Sequence, residues 1–88
     1  MRKDINKKNH FVYIVECRDG TLYTGYTTDV ERRLEEHNCG EGAKYTRGRY
    51  PVELRYTESF GSRSSAQKKE YQIKQLPRKE KEELINSK

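Results

Sequence analysis

The stretch YIVECRDGTLYTGYTTDVERR, residues 13–33, predicts a strand, a tight turn, a second strand and a capped helix in that order. β-Branched and aromatic residues are dense on both sides of RDG, which is the pattern of a β-hairpin. The run TTDVERR then has the polar start of a capped helix. We expect Tyr13 and Tyr23 on the strands, and Arg33 on the helix, to face one point that handles phosphate.

The length of the turn decides which side chains share a face of the hairpin. A two-residue turn would put Tyr13 and Tyr23 on opposite faces. A three-residue loop over 18–20, with Gly20 in the left-handed conformation, puts Tyr13 opposite Gly25 and both tyrosines on one face. We predict the three-residue loop. A glycine at position 25 leaves room for a ligand or another backbone to approach closely.

The first helix has a recognisable start and an inward edge of mixed character. Thr28 as the N-cap, with Glu31 three residues later, forms a capping box. Arg33 and His37 are four residues apart, so the inward edge is partly cationic. The predicted inward face, at i, i+4 and i+7, comprises Val30, Leu34 and His37.

Two further stretches have the composition of strands. Residues 10–17, HFVYIVEC, carry apolar side chains on both faces, so we expect an interior strand. Residues 51–60, PVELRYTESF, alternate instead. We therefore predict that Val52, Leu54 and Tyr56 lie on one buried face and that the intervening residues face water.

The second predicted helix carries a carboxylate in its apolar stripe. Ala66, Glu70 and Ile73 recur at i, i+4 and i+7. A buried glutamate without a partner costs several kcal/mol, so Glu70 should meet a cation, a metal ion or a hydrogen-bond network. A structural ion pair with a lysine or arginine is the alternative. Pro77 begins a last short helix over 78–86, which we expect to dock through Leu84 and Ile85.

Charge and length limit the classes of function. The 88 residues form one domain at most, with a flexible basic arm expected over 1–9 and a folded domain over 10–88. The 19 Lys and Arg against 14 Asp and Glu give +5, which favours nucleic acid as a partner before a membrane surface. Nothing is apolar enough for a signal peptide or a membrane span, and Cys17 and Cys39 lack zinc-site spacing. We expect a cytoplasmic protein with reduced thiols and no membrane partner.

The loop before the third strand mixes cations with aromatic residues. Residues 39–50, CGEGAKYTRGRY, contain three glycines. Basic side chains among aromatic rings suit a nucleic-acid backbone or an unstacked base. An ordinary polar connection is the alternative. The candidate nucleic-acid-binding residues are Lys44, Tyr45, Arg47 and Arg49.

Taken together, these motifs resemble the GIY-YIG nuclease superfamily, especially its small stand-alone bacterial members of the YhbQ type. The first motif stands here as FVY at 11–13 and the second as YTG at 23–25. Arg33, His37 and Glu70 follow in the family's order, so the resemblance covers nearly the whole domain. It implies an α+β fold of order β-β-α-β-α-α, in which helices flank a three-stranded antiparallel sheet.

The resemblance also implies hydrolysis of phosphodiester bonds with one divalent metal ion, Mg²⁺ or Mn²⁺. Glu70 would ligate the metal, and Tyr13 would act as general base near the attacking water. Tyr23 would orient water or phosphate, Arg33 would stabilise charge on the phosphoryl group, and His37 would assist proton or phosphate handling. A free tyrosine has a pKa of ~10, so this base needs a nearby cation.

The sequence departs from the family pattern in three places. The first motif keeps only its tyrosine, Tyr13. Many nuclease members carry a lysine directly after the second motif, where this chain has Tyr26, and Lys44 or Arg47 could replace that charge. No further DNA-binding region is evident, so we expect a protein partner, a structured substrate or weak nonspecific contacts to supply targeting.

Two classes of function follow from the sequence. The first is a metal-dependent endonuclease acting on DNA, with structured, damaged or single-stranded DNA as candidate substrates. The second is a noncatalytic nucleic-acid-binding adaptor that retains the nuclease fold. Purely structural roles are the further alternative: Tyr13 and Tyr23 could be core aromatics, and Arg33 and Glu70 could pair with each other.

Overall fold

A computed structural model of the chain describes residues 9–40 and 48–87. The predicted arm therefore lies outside the described residues, except for its last position. The elements, in chain order, are β1 (His10–Glu16), β2 (Leu22–Thr27), α1 (Val30–Asn38), β3 (Glu53–Phe60), α2 (Arg63–Lys74) and α3 (Arg78–Asn86). This is the predicted α+β order. Within the described part of the chain, no helix has the length and apolar character needed to span a membrane.

The central strand is β1, because the antiparallel sheet has the order β2-β1-β3. Alternate side chains of β1 point to opposite faces of the sheet. Val12 and Ile14 pack against α2 and α3, while Tyr13 and Val15 pack on the other face with Leu34 of α1. Burial on both faces explains why this strand shows no polar alternation. Helix α3 docks through Leu84 and Ile85, as predicted.

The hairpin has the predicted three-residue loop. Gly20 has φ of 88°, the left-handed conformation that a glycine adopts without strain. The resulting register pairs Tyr13 with Gly25 and Val15 with Tyr23. The rings of Tyr13 and Tyr23 therefore share one face of the sheet, as the predicted three-residue loop requires.

The predicted burial of β3 is wrong at Leu54, which is 37% exposed. A β-bulge is the cause. Ile14 pairs with Tyr56, the next residue Val15 pairs with Leu54, and Arg55 is left between the two pairs. An extra residue of this kind breaks the two-residue alternation on which the prediction relied. The strand also begins at Glu53, later than predicted.

The predicted N-cap of α1 is wrong by one residue. Asp29 is the N-cap in place of Thr28, and its Oδ1 accepts the backbone N–H of Arg32 at 3.1 Å. The Thr27 hydroxyl accepts the Asp29 N–H at 3.0 Å, which positions Asp29 before the first turn. A carboxylate at this position also faces the positive end of the helix dipole, so it is preferred to a hydroxyl.

Candidate active site

Tyr13 and His37 form the centre of the candidate site. Tyr13 Oη lies 2.9 Å from His37 Nε2, although 24 residues separate them in sequence. Both side chains are buried, Tyr13 on β1 and His37 in the last turn of α1. The ring of Tyr23 completes the group, with its centroid 5.5 Å from that of His37 and 6.3 Å from that of Tyr13. The hairpin register and the helical spacing together bring these three rings to one place.

The two hydrogen-bonded side chains have opposite pKa shifts. Burial raises the pKa of Tyr13 to about 12, although Arg33, hydrogen-bonded to the same hydroxyl, acts against the shift. Burial lowers the pKa of His37 below its ordinary value, and the positive charge of Arg33 lowers it further. At neutral pH the phenol therefore keeps its proton and the imidazole is neutral. In the tautomer that carries its proton on Nδ1, His37 Nε2 accepts the hydrogen bond that the Tyr13 hydroxyl donates.

The buried neutral imidazole makes stability depend on pH. The unfolded chain protonates His37 near the ordinary pKa of 6.5, whereas the folded chain resists protonation until a lower pH. The unfolded state thus binds more protons between these two values, so the free energy of unfolding should fall as the pH drops below about 6.5. Urea unfolding of wild type and His37→Gln, from about pH 7.5 to about pH 5, should show the steeper fall in wild type. Identical pH dependences would contradict a buried neutral His37.

Arg33 reaches the site from the middle of α1. Its Nη1 donates to Glu36 Oε1 at 2.8 Å, and its guanidinium is also hydrogen-bonded to the Tyr13 hydroxyl. The hydrogen bond from Arg33 lowers the pKa of Glu36, so this carboxylate stays charged. Glu36 therefore holds the guanidinium beside Tyr13. The sequence analysis missed Glu36, although its i, i+3 spacing from Arg33 was a usable signal.

The space beside Gly25 is occupied by Tyr13 and is not open to a ligand. A Cβ at position 25 would lie 2.6 Å from Tyr13 Cζ, much closer than atoms of a stable structure approach. Because the two residues pair across the hairpin, the hydroxyl end of the tyrosine lies against the glycine backbone. The prediction that Gly25 leaves room for a ligand or another backbone is therefore wrong. Glycine is required here so that Tyr13 can reach His37.

Gly25→Ala should displace the Tyr13 ring. We expect the free energy of unfolding to fall by about 1–3 kcal/mol, as in other overpacked cores. Gly61→Ala is the matched control, because a Cβ at position 61 meets no atom within 4 Å. Denaturant unfolding of both variants measures the difference. If the two alanine variants are equally stable, the close contact between Tyr13 and Gly25 is wrong.

Glu70 lies near this group on α2. Its side chain is 18% exposed, and its negative charge contributes to the raised pKa of Tyr13. Its Oε2 is 3.0 Å from Nζ of Lys74, one helical turn further on. Glu70 therefore forms an ion pair with a lysine, which was the structural alternative to a metal site. The other alternative, a pair between Arg33 and Glu70, is wrong because Arg33 binds Glu36.

The residues present suit a metal ion that is held largely by water and substrate. Among residues 9–40 and 48–87, no three histidine, cysteine or acidic side chains are grouped so that they could share a metal ion. Mg²⁺ commonly binds one or two carboxylates and completes its octahedron with water and substrate phosphate. Glu70 can provide one such carboxylate, because its partner Lys74 is 46% exposed and can turn toward solvent.

Of the four candidate residues in the predicted nucleic-acid loop, the structure describes only Arg49. Lys44, Tyr45 and Arg47 lie outside the described residues. Nη1 of Arg49 is 3.1 Å from Oδ2 of Asp19 in the β1–β2 turn. The end of β1 at Glu16, beyond which this turn lies, is about 10 Å along the strand from Tyr13, at ~3.3 Å per residue. A contact between this loop and nucleic acid stays a prediction.

Comparison with known proteins identifies the family. The family model of the GIY-YIG catalytic domain matches residues 9–83. This chain belongs to the GIY-YIG family. Members of this family are, in general, nucleases. The chain is 68% identical over 76 residues to a UPF0213 protein of Halobacterium salinarum, covering 86% of this chain and 99% of that protein. It is 61% identical over 77 residues to a UPF0213 protein of Natronomonas pharaonis, covering 88% and 91%.

Two solved structures share the GIY-YIG fold of this chain. The solution NMR structure of the UPF0213 protein BH0048 from Bacillus halodurans has a TM-score of 0.60 at 54% identity, over 90% of this chain and 84% of that one. The NMR structure of the E. faecalis protein EF2693 has a TM-score of 0.63 at 52% identity, over 93% and 88%. The predicted family and the predicted fold are confirmed.

This GIY-YIG domain has a second polar cluster, which lies around Tyr26 on the face of the sheet that packs against α2. Tyr26 stands directly after Gly25, and its Oη is 2.8 Å from Nδ1 of His10. Cζ of Arg63, the first residue of α2, lies 5.7 Å from the centroid of the Tyr26 ring. The sequence analysis missed Arg63 and His10, because no local spacing links either residue to Tyr26.

Proposed function

We propose that this protein is a divalent-metal-dependent endonuclease that hydrolyses phosphodiester bonds in DNA, with structured, damaged or single-stranded DNA as candidate substrates. Membership of the family supports nuclease activity in general. The observation that carries the proposal is the hydrogen bond between buried Tyr13 and His37, with Arg33 on the same hydroxyl. Burying a tyrosine and a histidine together beside a partly buried arginine opposes folding, so such a grouping supports a functional site.

In this proposal Tyr13 removes the proton of the attacking water with the help of His37. With a pKa of about 12, the phenol does not ionise alone at neutral pH. Neutral Nε2 of His37 takes the phenol proton while the phenol oxygen takes the water proton, so little negative charge develops on the buried ring. The water oxygen forms the bond to phosphorus as the bond to the ester oxygen breaks, and the leaving oxygen takes up a proton from solvent. Burial and the charge of Arg33 lower the pKa of His37, and the charge of Glu36 partly offsets this and so favours the imidazolium that results.

Arg33 and Tyr23 would act on the phosphate. The planar fork of a guanidinium matches two phosphate oxygens, and Arg33 already points its donors at the reacting hydroxyl. Its salt bridge to Glu36 fixes the guanidinium before the substrate arrives, and such preorganisation makes charge stabilisation effective. Tyr23, whose ring lies against both His37 and Tyr13, would orient the water or a phosphate oxygen.

Glu70 would hold the metal ion. Bound Mg²⁺ or Mn²⁺ supplies Lewis-acid polarisation of the phosphoryl oxygen. Lys74 must first release the Glu70 carboxylate, and its side chain can turn toward solvent because it is 46% exposed. The net charge of +5 supports an anionic substrate. Lys44, Tyr45, Arg47 and Arg49 are the proposed contacts with nucleic acid, and a protein partner is proposed to supply targeting.

The test is cleavage of a substrate panel by the wild-type protein. Labelled duplex, single-stranded and branched DNA are incubated with Mg²⁺, with Mn²⁺ and with a chelator. Cleavage that the chelator abolishes supports the endonuclease, and the panel then shows which DNA structure is preferred. Salt-sensitive binding without cleavage under any condition would overturn the endonuclease and favour the noncatalytic adaptor.

A further inference from the structure

Arg63 differs from the other arginines in the described part of the chain. Salt bridges to carboxylates are formed there by Arg32, Arg33, Arg49, Arg55 and Arg78. Arg18 donates to a backbone carbonyl. Arg63 forms no salt bridge with any carboxylate in residues 9–40 and 48–87, and its guanidinium lies over the ring of Tyr26. Its charge is therefore not neutralised by those residues.

The Tyr26 ring is a fixed support for this guanidinium. Its hydroxyl is hydrogen-bonded to Nδ1 of His10 at 2.8 Å, and the two rings are nearly parallel, with an interplanar angle of 13° and centroids 6.1 Å apart. Strands β1 and β2 hold the two rings in place. A guanidinium in cation–π contact with a ring keeps its N–H donors available. Arg63 is thus a preorganised cation whose donors can bind an anion.

The position of Arg63 relates it to the candidate active site. Tyr26 follows Gly25 on β2, so its ring lies on the face of the sheet that packs against α2, opposite to the face of Tyr13. Arg63 and Glu70 are two turns apart and so lie on one face of α2, about 10 Å apart along the helix axis. A polynucleotide strand that passes Glu70 carries phosphates at this distance, since about 10 Å is roughly three steps of a duplex.

We propose that Arg63 binds a backbone phosphate a few nucleotides from the bond that is cleaved. This inference rests on the proposed function, because it takes the strand to pass the site of Tyr13 and Glu70. The contact positions the substrate and takes no part in bond breaking. Its loss should therefore raise KM and weaken DNA binding, with a much smaller change in kcat.

The first test compares Arg63→Gln with Lys79→Gln. Lys79 is exposed on α3 and forms no salt bridge within the described residues, so both variants lose one exposed positive charge. Binding of labelled duplex and single-stranded DNA is measured without metal, as a function of salt. Arg63→Gln should lower affinity about tenfold at low salt, and the slope of log affinity against log salt should fall by about 0.7–0.9. Lys79→Gln should change both much less.

The second test examines whether the Tyr26 ring contributes to DNA binding by Arg63. Tyr26→Leu removes the aromatic face and leaves Arg63 in place, so we expect an affinity loss smaller than that of Arg63→Gln. The double variant Tyr26→Leu/Arg63→Gln should lose less than the product of the single losses, because the two residues act as one unit. If the two substitutions act independently, the contact between Arg63 and the Tyr26 ring makes no contribution to DNA binding. The inference that Arg63 is a preorganised cation would then be wrong.

Equal losses in Arg63→Gln and Lys79→Gln would overturn the proposal. So would an Arg63→Gln variant that melts at a lower temperature but binds DNA like wild type, since Arg63 would then be structural. These binding measurements do not depend on cleavage. A wild-type protein that binds DNA and never cuts it would count against the endonuclease, whereas a selective loss in Arg63→Gln would still support the phosphate contact.

Discussion

Replacing Tyr13 by phenylalanine should lower kcat by about 10²–10⁴-fold, the usual contribution of a general base. The substitution keeps the buried ring against Gly25 and removes only the hydroxyl that contacts His37 and Arg33. His37 Nε2 then loses a buried partner, which costs about 1–3 kcal/mol of folding free energy. Steady-state cleavage kinetics, together with denaturant unfolding, separate the loss of catalysis from the loss of stability.

Tyr56→Phe is the matched control for this prediction. Tyr56 is also a buried sheet tyrosine, and its hydroxyl donates to Glu58, on a cluster of side chains away from Tyr13. Both substitutions therefore delete one hydrogen-bonded phenol oxygen from the sheet. We expect Tyr56→Phe to lose stability but to cleave DNA normally. Equal kcat values for the two variants would mean that Tyr13 is only a core aromatic.

Replacing Arg33 by lysine should lower kcat by about 10²–10³-fold, although the positive charge is kept. A lysine ammonium cannot present a planar fork to two phosphate oxygens, nor bind Glu36 and the Tyr13 hydroxyl in the same geometry. The loss should appear in kcat rather than in KM, because the guanidinium acts on charge that develops in the transition state. Cleavage kinetics at saturating DNA measure this difference.

The control for Arg33→Lys is the same substitution at the neighbouring residue, Arg32. Arg32 also pairs with Glu36, with Nη1 at 3.5 Å from Oε2, but its side chain is 55% exposed. Arg32→Lys therefore makes the same chemical change on the same helix and beside the same carboxylate. We expect it to cleave at nearly the wild-type rate. A loss of kcat in Arg32→Lys equal to that in Arg33→Lys would attribute the effect to the helix or to Glu36.

The sequence was most informative where structure is local. The loop over 18–20 decided the hairpin register, because a loop of three residues, unlike one of two, pairs Tyr13 with Gly25. That register put Tyr13 and Tyr23 on one face, and helical spacing added Arg33 and His37. Their convergence could therefore be predicted, whereas their catalytic roles stay predictions until they are measured.

Contacts between elements that are distant in sequence could not be predicted from the sequence. The exposure of Leu54 depends on a bulge in the pairing of β1 with β3, which the pattern of one strand does not reveal. The contacts of Tyr26 with Arg63 and His10 depend on how α2 and β1 lie against β2. By contrast, the pairing of Glu70 with Lys74 has the i, i+4 spacing that a sequence displays directly.

The most direct test of the account compares DNA cleavage by Glu70→Gln and Glu82→Gln in Mg²⁺. Each glutamate forms an i, i+4 salt bridge on its own helix, Glu70 with Lys74 and Glu82 with Arg78, so the two substitutions are matched. Glu70→Gln loses the proposed metal ligand. We expect this variant to remain folded and to cleave DNA at least about a hundredfold more slowly than wild type. Glu82→Gln should cut like wild type. Equal cleavage by the two variants would show that Glu70 does not hold the metal ion, and the account of the site would be wrong.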